Sequence, residues 1–213
     1  MRPALDLATA QYIVEVAATA AFAASGVMEA ARKRLDAVGV VVVACLTAFG
    51  GGTLRDLLLD RRPLFWVQHS AYLWGVFALS IAAMVAMRAR HRRPTEQAIV
   101  WPDALGLGLF AATGTQLALE TGWPMLAAAV IGVVTAVFGG VLRDIVCNEI
   151  PMTFRDRRPY AVCAFAGGWA VIAADALGAS DAAALAAGTV VTVALRGAAL
   201  QFDWRIPAWR IRD

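Results

Sequence analysis

The chain has 213 residues and a net charge of +3; 60% of the residues are hydrophobic, 16% are charged, and the mean hydropathy is +0.65. Soluble domains carry about 25% charged residues, so this composition excludes an ordinary soluble globular protein. The apolar residues form runs of about 17–25 residues, the length that crosses a bilayer as a helix. The sequence therefore predicts an all-α, multi-pass membrane protein.

Seven membrane spans can be placed along the chain, separated by short polar connections. The connections are rich in arginine and proline, as in residues 60–63 and 151–159. Pro102 and Pro124 each follow a tryptophan and are predicted to open a span, because proline is tolerated in the first helical turn and tryptophan favours the headgroup region. The predicted spans are residues 9–30, 37–59, 65–87, 102–120, 124–147, 159–176 and 181–200.

The positive residues are divided unequally between the two sides of the membrane that seven spans define. One side has only Arg2, Arg61 and Arg62, whereas all other positive residues except Arg55 and Arg143 fall on the opposite side. Loops rich in arginine and lysine stay in the cytoplasm. We therefore expect an inner-membrane protein with its N-terminus outside and its C-terminus in the cytoplasm. Because membrane topology explains the positive loops, we expect no nucleic-acid partner.

Two near-identical motifs lie inside the second and fifth predicted spans, Gly50–Asp56 (GGGTLRD) and Gly139–Asp144 (GGVLRD). Glycine weakens a helix because it has no side chain and loses much backbone entropy on folding. We predict that these glycines kink or unwind their helices and free carbonyl groups to face an ion. The alternative is that small residues only allow neighbouring helices to pack closely.

Each motif also places an arginine and an aspartate, which are costly in lipid, inside a span. Adjacent residues on a helix point about 100° apart, so we do not expect the arginine and aspartate of one motif to pair. Each then needs a partner elsewhere, such as the opposite motif or water in a pathway. The alternatives are structural ion pairs, or arginines whose heads reach the interface.

An internal repeat relates the two halves of the chain at a constant offset of 88 residues. The offset places each motif on the other, and it also places Pro63 on Pro151 and Glu15 on Asp103. Each copy contains three predicted spans, an odd number, so the copies are expected to have inverted orientations in the membrane. The prediction is one transmembrane domain, 1–213, made of an inverted pair of repeats, 9–87 and 102–176, and a seventh helix, 181–200.

With these motifs and this topology, the sequence resembles the prokaryotic branch of the trimeric intracellular cation (TRIC) channels over nearly its whole length. The resemblance implies a homotrimer in which each subunit has its own pore, lined by kinked helices 2 and 5, and passes potassium and other monovalent cations. A bacterial sister group with very similar motifs is described as glycine transporters. The resemblance therefore leaves both a channel and a carrier of small amino acids open.

Further polar residues near the middle of the spans are candidates for the pathway. Glu15, inside the first span, is free to pair with an arginine of the motifs. Asp103 beside Pro102 is interpreted as a helix cap, since acids are favoured at helix N-termini. Thr47 and Thr135 either satisfy carbonyls of their own helices or contact a permeant ion. The predicted ion pathway comprises Gly50, Gly51, Gly52, Gly139, Gly140, Arg55, Asp56, Arg143, Asp144, Thr47, Thr135 and Glu15.

The sequence has no signature of an enzyme, a cofactor site or a metal site. There is no phosphate-binding loop, nucleophile elbow or His–Cys ligand set, and the three cysteines lie in apolar runs. Three functions remain: a potassium channel surrounded by membrane lipid, a carrier of glycine or a similar zwitterion, and a purely structural membrane subunit. The charges inside the spans disfavour the last of these.

Overall fold

The computed structural model describes residues 7–90 and 94–207, and within these residues the chain forms nine helices and no strands. The positive residues Arg2, Arg92, Arg93, Arg210 and Arg212, counted in the charge distribution, lie outside the described residues. The helices are α1 Leu7–Arg32, α2 Ala37–Leu58, α3 Phe65–Gln68, α4 Ala71–Arg90, α5 Glu96–Glu120, α6 Met125–Val146, α7 Met152–Arg155, α8 Ala161–Ala176 and α9 Asp181–Gln201.

The prediction of an all-α membrane protein is confirmed for the described residues. Five helices, α1, α2, α4, α6 and α9, are long and apolar enough to cross a membrane. The other two long helices have 25 residues in α5 and 16 residues in α8. The remaining helices, α3 and α7, have four residues each and follow α2 and α6 respectively.

Two predicted boundaries are wrong. The span predicted at 65–87 is divided, because α3 ends at Gln68 and the backbone of His69 is extended before α4 begins. The span predicted to open at Pro102 begins earlier, at Glu96, because the Thr95 side chain accepts a hydrogen bond from the Ala98 N–H and caps the helix there. Pro102 therefore lies inside α5 and not in its first turn.

The helices of the two halves pack against their counterparts, α1 against α5 and α2 against α6. Phe22 and Phe110, which are 88 residues apart, are fully buried between α1 and α5, where their rings stack with centroids 5.5 Å apart. The last helix, α9, packs mainly against α5 and α8. The core of the described chain is thus centred on pairs of helices from opposite halves.

The glycine motifs do not interrupt their helices, so the predicted unwinding is wrong. Both α2 and α6 are continuous through the glycines. A Cβ atom on Gly51 would overlap the carbonyl oxygen of Thr135, and one on Gly139 would overlap the carbonyl oxygen of Thr47. The glycines therefore allow the backbones of α2 and α6 to touch, which is the close-packing alternative.

The close approach of α2 and α6 predicts that Gly51→Ala will destabilise the folded protein, because the added methyl group has no space. Overpacking of this kind costs about 1–3 kcal/mol, which will lower the midpoint of thermal unfolding in detergent. Gly75→Ala on α4 is the matched control, since nothing lies within 4 Å of a Cβ at that position. Equal unfolding midpoints for the two variants would contradict this assignment.

Candidate functional site

The first group of buried charges, the Arg55 cluster, joins the C-terminal part of α2 to α1. The guanidinium of Arg55, which has no exposed surface, donates to Glu15 Oε1 at 2.6 Å and to Asp56 Oδ1 at 2.9 Å. The second oxygen of Asp56 accepts the backbone N–H of Phe65 at 2.8 Å, so the cluster also holds the start of α3. The hydroxyl of Tyr72 is 3.4 Å from Glu15 Oε2.

The second group, the Arg143 cluster, repeats this arrangement between α6 and α5. Arg143, 1% exposed, donates to Asp103 Oδ1 at 2.5 Å and to Asp144 Oδ1 at 2.8 Å. The other oxygen of Asp144 accepts the backbone N–H of Met152, the first residue of α7, at 2.7 Å. The hydroxyl of Tyr160 donates to Asp103 Oδ2 at 2.7 Å. The arginine, aspartate, acid and tyrosine of the two clusters are related by the 88-residue offset.

These clusters correct two sequence-based expectations and confirm a third. Each arginine does pair with the aspartate next to it, because its long side chain bends back along the helix. Asp103 is not a helix cap: it is buried inside α5 and pairs with Arg143. The expected partnership of Glu15 with an arginine of the motifs is confirmed by its contact with Arg55.

The two threonines lie fully buried between the clusters, at the crossing of α2 and α6. Thr47 Oγ1 donates to the carbonyl of Val43 at 2.6 Å, and Thr135 Oγ1 donates to the carbonyl of Ile131 at 2.7 Å. In this structure both hydroxyl protons are therefore used within their own helices.

A pocket reaches each cluster. Glu15 and Asp56 line the Glu15 pocket, which has a volume of about 200 Å³. Arg143 and Asp144 line the larger Asp144 pocket, which has a volume of about 310 Å³. The charged residues that line the Asp144 pocket are Glu29, Arg32, Glu96, Arg143, Asp144, Glu149, Arg155, Asp156 and Arg158.

Salt bridges connect several of the charged residues that surround the Asp144 pocket. Glu149, just after α6, accepts from Lys33 and from Arg155, the latter at 3.1 Å. The hydrogen bond from Lys33 and its positive charge hold the pKa of the Glu149 carboxyl below its ordinary value of 4.5. Arg32 pairs with Glu29 at 2.6 Å, so the pocket joins the end of α1 to the segment after α6.

Several residues at the site were not selected from the sequence. Tyr72 and Tyr160 could have been chosen, since the offset matches them and both flank the motifs. Ser25, which contacts the guanidinium of Arg143 from α1, is matched with Thr113 by the same offset but was not chosen for the pathway. Arg196 was counted only among the positive residues of the cytoplasmic side, but it is 1% exposed and packs against Tyr160. Within residues 7–90 and 94–207, no group of His, Cys, Asp and Glu side chains is placed to hold a metal ion.

Known proteins share both the sequence and this fold. The family model described as "Glycine transporter" matches residues 12–88 and 100–176, two segments of equal length that are also 88 residues apart. The chain is 36% identical to a UPF0126 membrane protein of Vibrio cholerae, over 94% of this chain and 83% of that protein. It is 34% identical to the UPF0126 inner membrane protein YadS of Escherichia coli K12, over 95% of this chain and 97% of that protein.

Solved structures also match this chain in sequence and in fold. The chain superposes with a TM-score of 0.84 on the TRIC trimeric intracellular cation channel orthologue from Rhodobacter sphaeroides. The two sequences are 36% identical, and the match covers 91% of this chain and 98% of that chain. A second solved structure, from work on the structural basis for conductance through TRIC cation channels, gives a TM-score of 0.82 with 33% identity. The match covers 95% of this chain and 98% of that chain. The chain belongs to the prokaryotic TRIC family. This TRIC family member is a membrane protein and, as the sequence predicted, not an enzyme.

The paired clusters predict that removing the acid contributed by the neighbouring helix will destabilise this TRIC family member. Glu15→Gln leaves Arg55 with only Asp56, and breaking a buried pair in this way costs about 3 kcal/mol, the lower end of the usual range. Asp203→Asn is the control, because its partner Arg205 is exposed and such pairs contribute less than about 1 kcal/mol. Unfolding midpoints in detergent will separate the two variants; a Glu15→Gln protein as stable as wild type would contradict the buried pairing.

The lowered pKa of Glu149 predicts a specific dependence of stability on pH. A carboxyl whose pKa is lower in the folded state stabilises that state fully above its ordinary pKa, and the contribution is lost as pH falls through the lowered value. The difference in unfolding midpoint between wild type and Glu149→Gln should therefore be constant near neutral pH, shrink as pH falls below the ordinary value of 4.5, and disappear only below the lowered pKa of the folded state. A difference that persists under strongly acidic conditions would exclude the ion pairs of Glu149 as its source.

Proposed function

We propose that this protein is a cation channel of the inner membrane that conducts monovalent cations, chiefly potassium, as a homotrimer with one pathway in each subunit. The observation that carries the proposal is the pair of pockets, lined by acids together with arginines, of which one reaches Glu15 and Asp56 and the other reaches Arg143 and Asp144. The likeness to TRIC cation channel structures at TM-scores of 0.82–0.84 supports the same function.

The proposed architecture has seven transmembrane helices, with repeats 9–87 and 102–176 inverted in the membrane and a seventh helix at 181–200. Reciprocal contacts support the inversion: Gly51 meets Thr135, and the residues 88 positions away from each, Gly139 and Thr47, meet in the same way. Such an exchange of partners is typical of a two-fold axis. The two matches of the family model, offset by the same 88 residues, support the repeat.

The proposed pathway runs from the Glu15 pocket, past the α2–α6 crossing, to the Asp144 pocket. Acids outnumber arginines in the lining of both pockets, five to four in the Asp144 pocket and two to one in the Glu15 pocket, and this excess favours cations at the two mouths. The arginines repel a cation, so the arrangement described here corresponds to a closed pathway. For conduction, each guanidinium then has to move out of the pathway together with the carboxylates that it pairs with.

The proposed lining consists of the twelve residues identified from the sequence. Gly50, Gly51 and Gly139 provide the narrow crossing of α2 and α6, and the two threonines stand beside it. The other two glycines face aromatic residues, Gly52 the ring of Phe65 and Gly140 the hydroxyl of Tyr160. When the helices separate, the carbonyl and hydroxyl oxygens at this crossing become available to a dehydrated cation. The glycines thus serve the pathway by allowing close contact that can be broken, and not by interrupting their helices.

The excess of positive residues on one side supports an orientation with the N-terminus outside and the C-terminus in the cytoplasm. In this orientation the Asp144 pocket faces the cytoplasm and the Glu15 pocket faces outward. Anionic lipids of the cytoplasmic leaflet then surround the arginine-rich end of the bundle.

A carrier for glycine or a similar zwitterion is the second candidate. The chemistry of the Asp144 pocket favours it, since Arg143 and Asp144 both line this pocket and a guanidinium and a carboxylate together complement a zwitterion. A carrier exposes its site to one side at a time and gives saturable flux, whereas an open channel gives discrete current steps.

Recording from the purified protein in planar bilayers with asymmetric potassium chloride separates the two functions. We expect discrete openings that reverse near the potassium equilibrium potential and are unchanged by glycine. Absence of current together with counterflow of labelled glycine in liposomes would replace the channel by a carrier. Native mass spectrometry of the same preparation should give a trimer.

The cytoplasmic mouth can be tested with a matched pair of variants. Glu96 lines the Asp144 pocket and its side chain is 71% exposed, so Glu96→Gln should lower the potassium conductance at low ionic strength with little effect on folding. The difference should shrink at about 1 M salt, where charges are screened within about 3 Å. Asp60→Asn is the control, because exposed Asp60 lines neither pocket; an equal loss in both variants would argue against this mouth.

A further inference from the structure

A third fully buried arginine lies outside the two clusters and outside the two segments that match the family model. Arg196, on α9, is 1% exposed, and its guanidinium donates to the carbonyl oxygen of Pro159 at 3.0 Å and to that of Arg158 at 3.3 Å. It lies 3.7 Å from the carboxylate of Asp156. A buried charge with these partners is placed to hold the segment that leads into α8.

The same guanidinium is stacked on the first residue after that segment. The Cζ atom of Arg196 lies 5.0 Å from the ring centroid of Tyr160, a distance at which a cation is attracted by the face of the ring. Cys163, one turn further along, donates its thiol to the Pro159 carbonyl that Arg196 also contacts. Arg196 thereby fixes both the backbone turn and the plane of the tyrosine ring.

Tyr160 transmits this contact to the Arg143 cluster, because its hydroxyl donates to Asp103, the acid that neutralises Arg143. The other half of the chain provides an internal comparison in Tyr72, which packs against Tyr12 and His69 instead of an arginine. There the hydroxyl is 3.4 Å from the acid, against 2.7 Å for Tyr160. The acid is also more exposed there, with 12% for the Glu15 side chain against 2% for Asp103.

We propose that Arg196 is a positioning residue that locks the Arg143 cluster through Tyr160, so that α9 controls one of the two closures of the pathway. The Arg55 cluster has no equivalent support from α9, which makes the two closures unequal. The inference rests on the proposed function, since it assigns the Arg143 cluster to closing the pathway.

A double-mutant cycle tests the connection. Arg196→Met removes the charge and the hydrogen bonds, and Tyr160→Phe removes the hydroxyl that reaches Asp103. If Arg196 acts through Tyr160, the effects of the two changes on the open–closed equilibrium will be coupled by about 3-fold or more. The matched cycle of Arg196→Met with Tyr72→Phe should be additive within about 2-fold. Equal coupling in both cycles, or additivity in both, would reduce Arg196 to general support of the fold and overturn the proposal.

Arg196→Lys keeps the cycle decisive if Arg196→Met does not assemble. Lysine retains the charge but cannot bridge two carbonyl groups while lying flat on the ring. It should give an effect of the same sign and smaller size, with the same selective coupling to Tyr160. A lysine variant that couples equally to Tyr72 would also reject the proposal.

A readout that does not involve ion flux separates failure of this inference from failure of the channel. In a Cys45→Ala, Cys147→Ala background, Cys163 is the one remaining cysteine, and its reaction with N-ethylmaleimide reports on the turn that Arg196 holds. We expect Arg196→Met to accelerate labelling about 3-fold or more and Arg205→Gln, an exposed arginine nearby, to leave it unchanged. If wild type carries no cation current, the channel proposal fails. Unchanged labelling in Arg196→Met rejects the role of Arg196 in either case.

Discussion

Burial of a guanidinium in an apolar helix bundle is costly unless carboxylates lie beside it, and this requirement ties α2 to α1 and α6 to α5. Each motif arginine takes one carboxylate from its own helix and one from a neighbouring helix. The acids in turn fix other groups, since Asp56 and Asp144 accept the N–H groups that begin the short helices α3 and α7. Removing one charge therefore affects three elements at once, which is why such groups are expensive and usually functional in membranes.

The contact between α2 and α6 is the second constraint. Helices in a bilayer gain little from hydrophobic burial against one another, so close backbone packing between small residues has to supply the attraction. Gly51 and Gly139 provide it reciprocally, each against a threonine carbonyl of the other helix. The same small residues therefore hold the two halves of the bundle together.

The two halves are similar in their charges but differ in their surroundings. The Glu15 pocket is smaller, and its acid is partly open to it, whereas Asp103 is shielded behind Tyr160 and Arg196. The difference arises because α9 packs mainly against α5 and α8, on the side of the Arg143 cluster. A helix outside the repeated segments can thus give two related sites different stabilities, which a pathway with two closures requires if one of them is to respond first.

The sequence by itself determined the membrane class, the positions of the long helices to within a few residues for most of them, and the offset that pairs Glu15 with Asp103. Hydropathy and repetition are one-dimensional patterns, and these features depend on little else. Only the tertiary structure decided that the glycines meet a neighbouring backbone instead of breaking their helices. It also decided that Asp103 is not a helix cap but the buried partner of Arg143, and that Arg196 is buried beside Tyr160. Those outcomes depend on what lies opposite each residue and on how far a flexible arginine side chain reaches, and neither is recorded in the order of residues along one helix.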